Sequence, residues 1–204
     1  MRRRHIIGTL VVCSATILAA PRGASAQDQP RFEAGVQVVA AAWRQFDGSD
    51  LGIGGRFAWH PATLLGVEAE FDLYPGEFSE GRAFSRRRVE GLFGITAGPR
   101  VGRVRLFGKL RTGFLRVAAA PEPFVCILIF PPPLACTLGA GRTLAVLDAG
   151  GGIEVPVTPR TFIRVDGGDR MIRYPGPALT LDGVEQNSFF GHDFRLAAGA
   201  GVRF

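Results

Sequence analysis

The sequence predicts an all-β fold: an eight-stranded antiparallel up-and-down transmembrane β-barrel. Three observations carry that expectation. Eight segments alternate apolar and polar residues with a period of two, the period of a strand whose two faces meet different surroundings. The connections between them alternate between short and long. A stretch with the character of an export leader precedes them all.

The leader is read from residues 1–26. Met1-Arg-Arg-Arg-His5 is basic, Ile6–Ala20 is mostly apolar, and Ala24-Ser25-Ala26 is a small-x-small cleavage site. These are the three parts of a secretory signal peptide. The apolar stretch is short for a bilayer span and runs into Pro21 and Gly23. Cys13 lies too early for a lipoprotein site, and Val12 precedes it where a small residue belongs. Residues 27–204 then form a single domain. Cleavage removes four arginines and no acid, so 24 basic residues become 20 against an unchanged 18 acidic ones. A nucleic-acid surface needs a large basic excess, so no nucleic-acid partner is expected. Cys126 and Cys136 remain. Ten positions apart in an exported chain, they are expected to form a disulfide.

The strands follow in order. Strand 1, Arg31–Arg44, sets Phe32, Ala34, Val36, Val38, Ala40 and Ala42 against Glu33, Gly35, Gln37, Val39, Ala41 and Trp43. Strand 2, Leu51–His60, is weaker, with Ile53, Phe57 and Trp59 against Arg56 and Ala58. Strand 3 sets Leu65, Val67, Ala69, Phe71 and Leu73 against Glu68, Glu70, Asp72 and Tyr74. Strand 4 sets Val89, Phe93 and Ile95 against Glu90, Leu92 and Thr96. Strand 5 sets Val104, Leu106, Leu110 and Phe114 against Arg103, Arg105, Phe107, Lys109 and Arg111. Strand 6 sets Ala145, Leu147, Ala149, Ile153 and Val155 against Val146, Asp148 and Glu154. Strand 7 begins with Ile163 and Val165 against Phe162, Arg164 and Asp166. Its alternation degrades over Asp169–Arg173, where a bulge or strand end is expected. Strand 8 sets Phe194, Leu196, Ala198, Ala200, Val202 and Phe204 against Asp193, Arg195 and Arg203.

Short turns follow the even strands at Pro61, Pro99–Gly102 and Pro156–Arg160. Longer loops follow strands 3, 5 and 7 at Pro75–Arg87, Ala118–Arg142 and Pro175–Gly191. In a meander this puts every short turn at one end, the asymmetry of an outer-membrane barrel, and both termini are then expected in the periplasm. A secreted, water-soluble barrel of lipocalin type would show the same alternation with its apolar face inward. Three features favour the inverted arrangement. Charges of both signs share one face. The apolar face is rich in Ala and Gly, which fill a core poorly. Aromatics sit near strand ends (Trp43, Phe57, Trp59, Tyr74, Phe114, Phe194 and Phe204) as interface girdles do.

With eight strands, a leader, the loop asymmetry and a terminal Gly201-Val-Arg-Phe204, the chain resembles the small outer-membrane barrels, the OmpA membrane domain and OmpX among them. The resemblance covers nearly all of residues 27–204. It implies residence in the outer membrane of a Gram-negative-type bacterium, in contact with outer-membrane lipid. It also implies that Phe204 is read by the barrel-assembly machinery. The chain is expected to depart from OmpA in lacking a peptidoglycan-binding domain after the last strand.

An eight-stranded barrel is just wide enough to be filled by side chains. The lumen set expected from parity is Glu68, Glu70, Asp72, Glu90, Arg103, Arg105, Lys109, Arg111, Asp148, Glu154, Arg164, Asp166, Arg195 and Arg203. Lys109 and Arg111 can pair with Asp148 or Glu154 across one hairpin. The bland reading is that these charges fill the barrel, and a structural or surface-interaction role follows. The alternative is a narrow pore or hydrophobic-solute conduit. A lipid-modifying barrel enzyme ranks third. His60 is expected in solvent beside Pro61, and His192 lacks the serine two residues on that a barrel deacylase would need, having Phe194 there. No enzymatic activity, cofactor or metal is expected. The loop Pro121–Leu138 is unusually apolar and carries Phe124, Ile127, Leu128, Ile129 and Phe130. It is expected either to cap the barrel mouth or to meet a protein partner or hydrophobic ligand.

Overall fold

A computed structural model describes residues 31–46, 48–76, 87–119, 134–176, 178–180, 183–185 and 187–204. The expected leader, residues 1–26, lies outside them. Eight long strands make the wall: β1 (Phe32–Trp43), β2 (Gly48–Trp59), β3 (Leu65–Tyr74), β4 (Arg88–Ala97), β5 (Val104–Val117), β6 (Arg142–Pro156), β7 (Thr161–Tyr174) and β8 (Phe189–Arg203). Each pairs antiparallel with the next, and β1 pairs with β8 to close the barrel. At the seam, Glu33 lies opposite Arg203 and Ala42 opposite Phe194. Phe32 and Phe204 exchange backbone hydrogen bonds of 3.1 and 3.0 Å. Closure leaves no free sheet edge.

The alternation predicts these strands because each residue type finds its own side. Val36, Ile53, Phe93 and Leu110 point outward and stay exposed, whereas Glu68, Asp72, Arg111 and Arg195 are buried inside. The distribution is inverted relative to a water-soluble protein, whose charged side chains are almost never fully buried.

Two local features set the wall. Gly102 turns the chain between β4 and β5 with φ +61°, a conformation that glycine adopts without strain. Arg100–Val101 pairs back onto Val104 and Arg105 there. Gly150 faces the lumen where β6 and β7 pass so closely that a Cβ would lie 2.1 Å from the Gly167 carbonyl oxygen. The Gly150–Gly152 run therefore serves strand packing and makes no phosphate loop.

Three expectations need correction. Strand 7 neither bulges nor ends at Asp169: β7 is continuous to Tyr174. Its alternation fails in sequence because Asp169 and Arg173 face outward while Ile172 and Tyr174 face inward. Trp43 and Tyr74 are not girdle aromatics. Both are buried inside the barrel mouth, as the parity of their own strands requires. Phe57, Trp59, Phe114, Phe194 and Phe204 do lie on the outer face.

Candidate functional site: a charge-filled lumen under an apolar plug

All eight strands contribute to the lumen. Among the described residues it buries ten carboxylates, the side chains of Glu33, Asp50, Glu68, Glu70, Asp72, Glu90, Asp148, Glu154, Asp166 and Asp193. Against them stand nine cations: Arg56, Arg88, Arg105, Lys109, Arg111, Arg164, Arg170, Arg195 and Arg203. Buried ions of one sign are costly, and near-equality makes their burial tolerable.

At the short-turn end, Arg203 donates to Glu33 at 2.8 Å and also bonds Glu154. His60 is not solvated as expected: it turns into the mouth, with Nε2 3.2 Å from Glu33 Oε2. Next comes a tier centred on Arg111. It donates to Asp148 at 2.9 Å through Nε, and to Glu70 and Glu68 at 2.6 and 3.1 Å through Nη1. Lys109 lies 3.3 Å from Asp148 and bonds Asp166. Arg164 bridges Glu68 and Asp166, 2.9 Å from each. Above it, Arg195 joins Glu70 and Asp72, and Gln37 donates to Asp72 at 2.9 Å. The last ionic tier holds Arg170 between Glu90 at 3.1 Å and Asp193 at 3.4 Å, with the Tyr74 hydroxyl donating to Glu90 at 2.8 Å. Arg88 pairs with Asp50.

Toward the long-loop end the lumen turns apolar. The Trp43 indole lies between two guanidiniums, with Arg88 and Arg170 each 4.3 Å from its ring centroid, a cation–π stack strengthened by desolvation. Val39, Leu92, Leu115, Val117, Leu144, Val146, Ile172 and Tyr174 pack around it. Leu134 and Leu138, at the two ends of the short helix α1 (Leu134–Thr137) and its following residue, enter the same cluster. The described end of the long loop thus folds into the mouth.

Parity therefore places Glu68, Glu70, Asp72, Glu90, Lys109, Arg111, Asp148, Glu154, Arg164, Asp166, Arg195 and Arg203 in one interior. Arg105 is inside too, with its guanidinium 5.8 Å from the Phe107 ring centroid. Arg103 is the correction. It lies in the Gly102 turn, exposed, because β5 begins one residue after it. Sequence reasoning missed Glu33, Asp50, Arg56, Arg88, Arg170 and Asp193 as members. The signal existed for Glu33, Arg56 and Asp193, which alternate in phase with their strands. Asp50 and Arg88 fall just outside the sequence-drawn strand ends, and Arg170 falls in the degraded stretch.

A cavity of about 10 Å³ is lined by Gln37, Arg56, Arg164 and Asp166, about the size of one water. Groups of carboxylates, His and Cys suited to a metal are absent among the described residues.

Cys126, and with it the expected Cys126–Cys136 pairing, lies outside the described residues. An 11-residue ring would gain up to about 3 kcal/mol from chain entropy. Alkylation of the unfolded, unreduced protein is expected to leave both thiols unlabelled in the intact mass, and two labels would remove the disulfide.

A closed eight-stranded antiparallel barrel, ionic within and apolar without, has the architecture of the small outer-membrane barrels. Neisserial surface protein A is one such fold. Its structure matches with a TM-score of 0.51 at 16% identity, over 85% of this chain and 97% of that one. The outer membrane protein OprG of Pseudomonas aeruginosa gives 0.49 at 12% identity, over 86% and 96%. Ail, the attachment invasion locus protein of Yersinia pestis, in complex with the heparin analogue sucrose octasulfate, gives 0.42 at 15%, over 85% and 99%. No protein-family model matches the sequence. No curated protein is significantly similar to it.

Proposed function

We propose that this protein is a non-enzymatic outer-membrane barrel with a structural or surface-interaction role and a sealed lumen. The observation that carries the reading is the inverted distribution of residues. Val36, Ile53, Phe93 and Phe194 are exposed while nineteen ionisable side chains are buried. In water that exterior would be a very large apolar surface; in a bilayer it is the surface that lipid requires. The short turns at one end support placing both termini in the periplasm. Outer-membrane lipid is then the immediate neighbour, and Phe204 is the residue offered to the assembly machinery. The loop Pro121–Leu138, by its apolar sequence, is the segment proposed to meet a protein partner or hydrophobic ligand.

The filled interior favours this role over a pore. Every described tier of the lumen is crossed by ion pairs, the cavity beside Arg56 and Arg164 is water-sized, and Trp43 with its neighbours plugs the loop end. Protein refolded into planar bilayers is expected to give no unitary current steps. Reproducible steps that change with an Arg111 substitution would replace the sealed-lumen reading by the pore reading.

A further inference from the structure

The outer wall is not purely apolar near the long loops: Arg116 and Arg142 are exposed there, and so is a carboxylate. Eleven carboxylates lie in the eight strands; ten face the lumen and Asp169 faces outward. It is partnered there by His192, whose Nδ1 lies 2.7 Å from Asp169 Oδ2, with half of each side chain exposed (55% for His192, 48% for Asp169). Directly across from Asp169 stand Ala149 on β6 and Phe194 on β8. An ionisable pair set among apolar, lipid-facing neighbours is costly, and such groups are kept for function.

The register extends the pair to a row. His192 lies opposite Met171, so Asp169 and Arg173 are its two diagonal neighbours on β7, within reach of long side chains. Arg173 is exposed, and its Nε and Nη2 bond Ser188 Oγ at 3.4 and 3.2 Å. The row therefore runs from a carboxylate, through an imidazole, to a guanidinium braced by a hydroxyl. Asp169 meets the ring at Nδ1, which leaves Nε2 outside that contact. The row sits at the long-loop end of β7, beside exposed Phe190 and Phe194. A guanidinium and an imidazole above an apolar shelf match an anionic headgroup joined to acyl chains. Guanidinium pairs with phosphate in a planar, two-pronged geometry.

We propose that Arg173 and His192, with Asp169 as the positioning residue, form a lipid-facing site for the phosphorylated headgroup of an outer-leaflet lipid. The site rests on the membrane reading above. Arg173 and His192 Nε2 would grip the phosphate, Phe190 and Phe194 would lie along the chains, and Asp169 would fix the ring without touching the lipid.

The test uses the full barrel in phosphatidylcholine nanodiscs doped with trace diphosphoryl lipid A, in the presence of EDTA, with bound lipid read by native mass spectrometry. Wild type should keep one diphosphoryl lipid A and reject the dephosphorylated form. Arg173→Leu and His192→Leu should each lower retention by about tenfold. Arg173→Lys should recover part of it, and Asp169→Asn should weaken it less than either. These leucines suit a lipid-facing wall, and heat-modifiable gel mobility verifies folding of each variant. Retention equal in wild type and both leucine variants, or equal for the dephosphorylated lipid, overturns the proposal. Displacement by millimolar inorganic phosphate would assign the site to free phosphate and overturn the lipid assignment. Failure to insert into nanodiscs at all would instead defeat the membrane reading, so the two failures are distinct.

Discussion

Arg195→Leu is expected to cost about 3–5 kcal/mol of folding stability, the penalty for removing one partner of a buried ion pair. Arg195 is fully buried and joins Glu70 and Asp72, with Glu90 3.7 Å from its Nε. Its loss leaves three carboxylates around an uncharged side chain. Neither water nor a flexible surface can absorb that charge at the centre of the barrel. The measurement is the urea midpoint in vesicles, followed by the gel shift between folded and unfolded forms. Arg195→Lys keeps the charge and loses the two-pronged geometry, so its midpoint should fall between those of wild type and the leucine variant. A leucine variant within about 0.5 kcal/mol of wild type, the range of an ordinary surface change, would mean that the tiers do not hold the barrel together.

Leu110→Arg is expected to destabilise the barrel in a bilayer by about 2–4 kcal/mol, the cost of an arginine on a lipid-facing wall near the membrane midplane. Leu110 is at the middle of β5, points outward, and lies between Ile95 of β4 and Ala149 of β6. The same change on the outside of a water-soluble barrel would be nearly silent. The sign of the effect therefore reports what surrounds the wall. Folding yield and urea midpoint in vesicles measure it, and an unchanged midpoint would return the chain to the water-soluble class.

Most of the architecture was legible because a barrel wall writes its two environments directly onto alternate residues. Strand 3 shows this best: Glu68, Glu70 and Asp72 against Val67, Phe71 and Leu73 allow one assignment of faces. Composition and parity disagree at the loop-end aromatics. Trp43 and Tyr74 were placed at the interface by residue type, yet parity put them inside, where the Arg88–Trp43–Arg170 stack uses the indole as a spacer between like charges. Arg103 followed parity one residue past the true end of its strand. In β7 the pattern broke because outward positions themselves became charged, which also hid Arg170. The partners within the lumen were beyond sequence reasoning for a different reason. Adjacent-strand pairs such as Arg111 and Asp148 can be proposed from a hairpin, but Arg164 with Glu68 joins β7 to β3 across the interior. Only the closed geometry brings those together.

That last kind of contact bears on how the chain is made. The acidic strand β3 finds no compensating cation on β4 in the central tier. Besides Arg56 on β2, 3.9 Å from Glu68, its partners are Arg111, Arg164 and Arg195, the last two 96 and 125 positions downstream of the carboxylates they hold. The seam adds Arg203 with Glu33, separated by 170. An N-terminal half, β1–β4, entering hydrocarbon alone would carry six lumen carboxylates against two cations, Arg56 and Arg88. Four of those six carboxylates are left for cations of the second half, so the charge balance of the first strands is completed only when the last ones arrive.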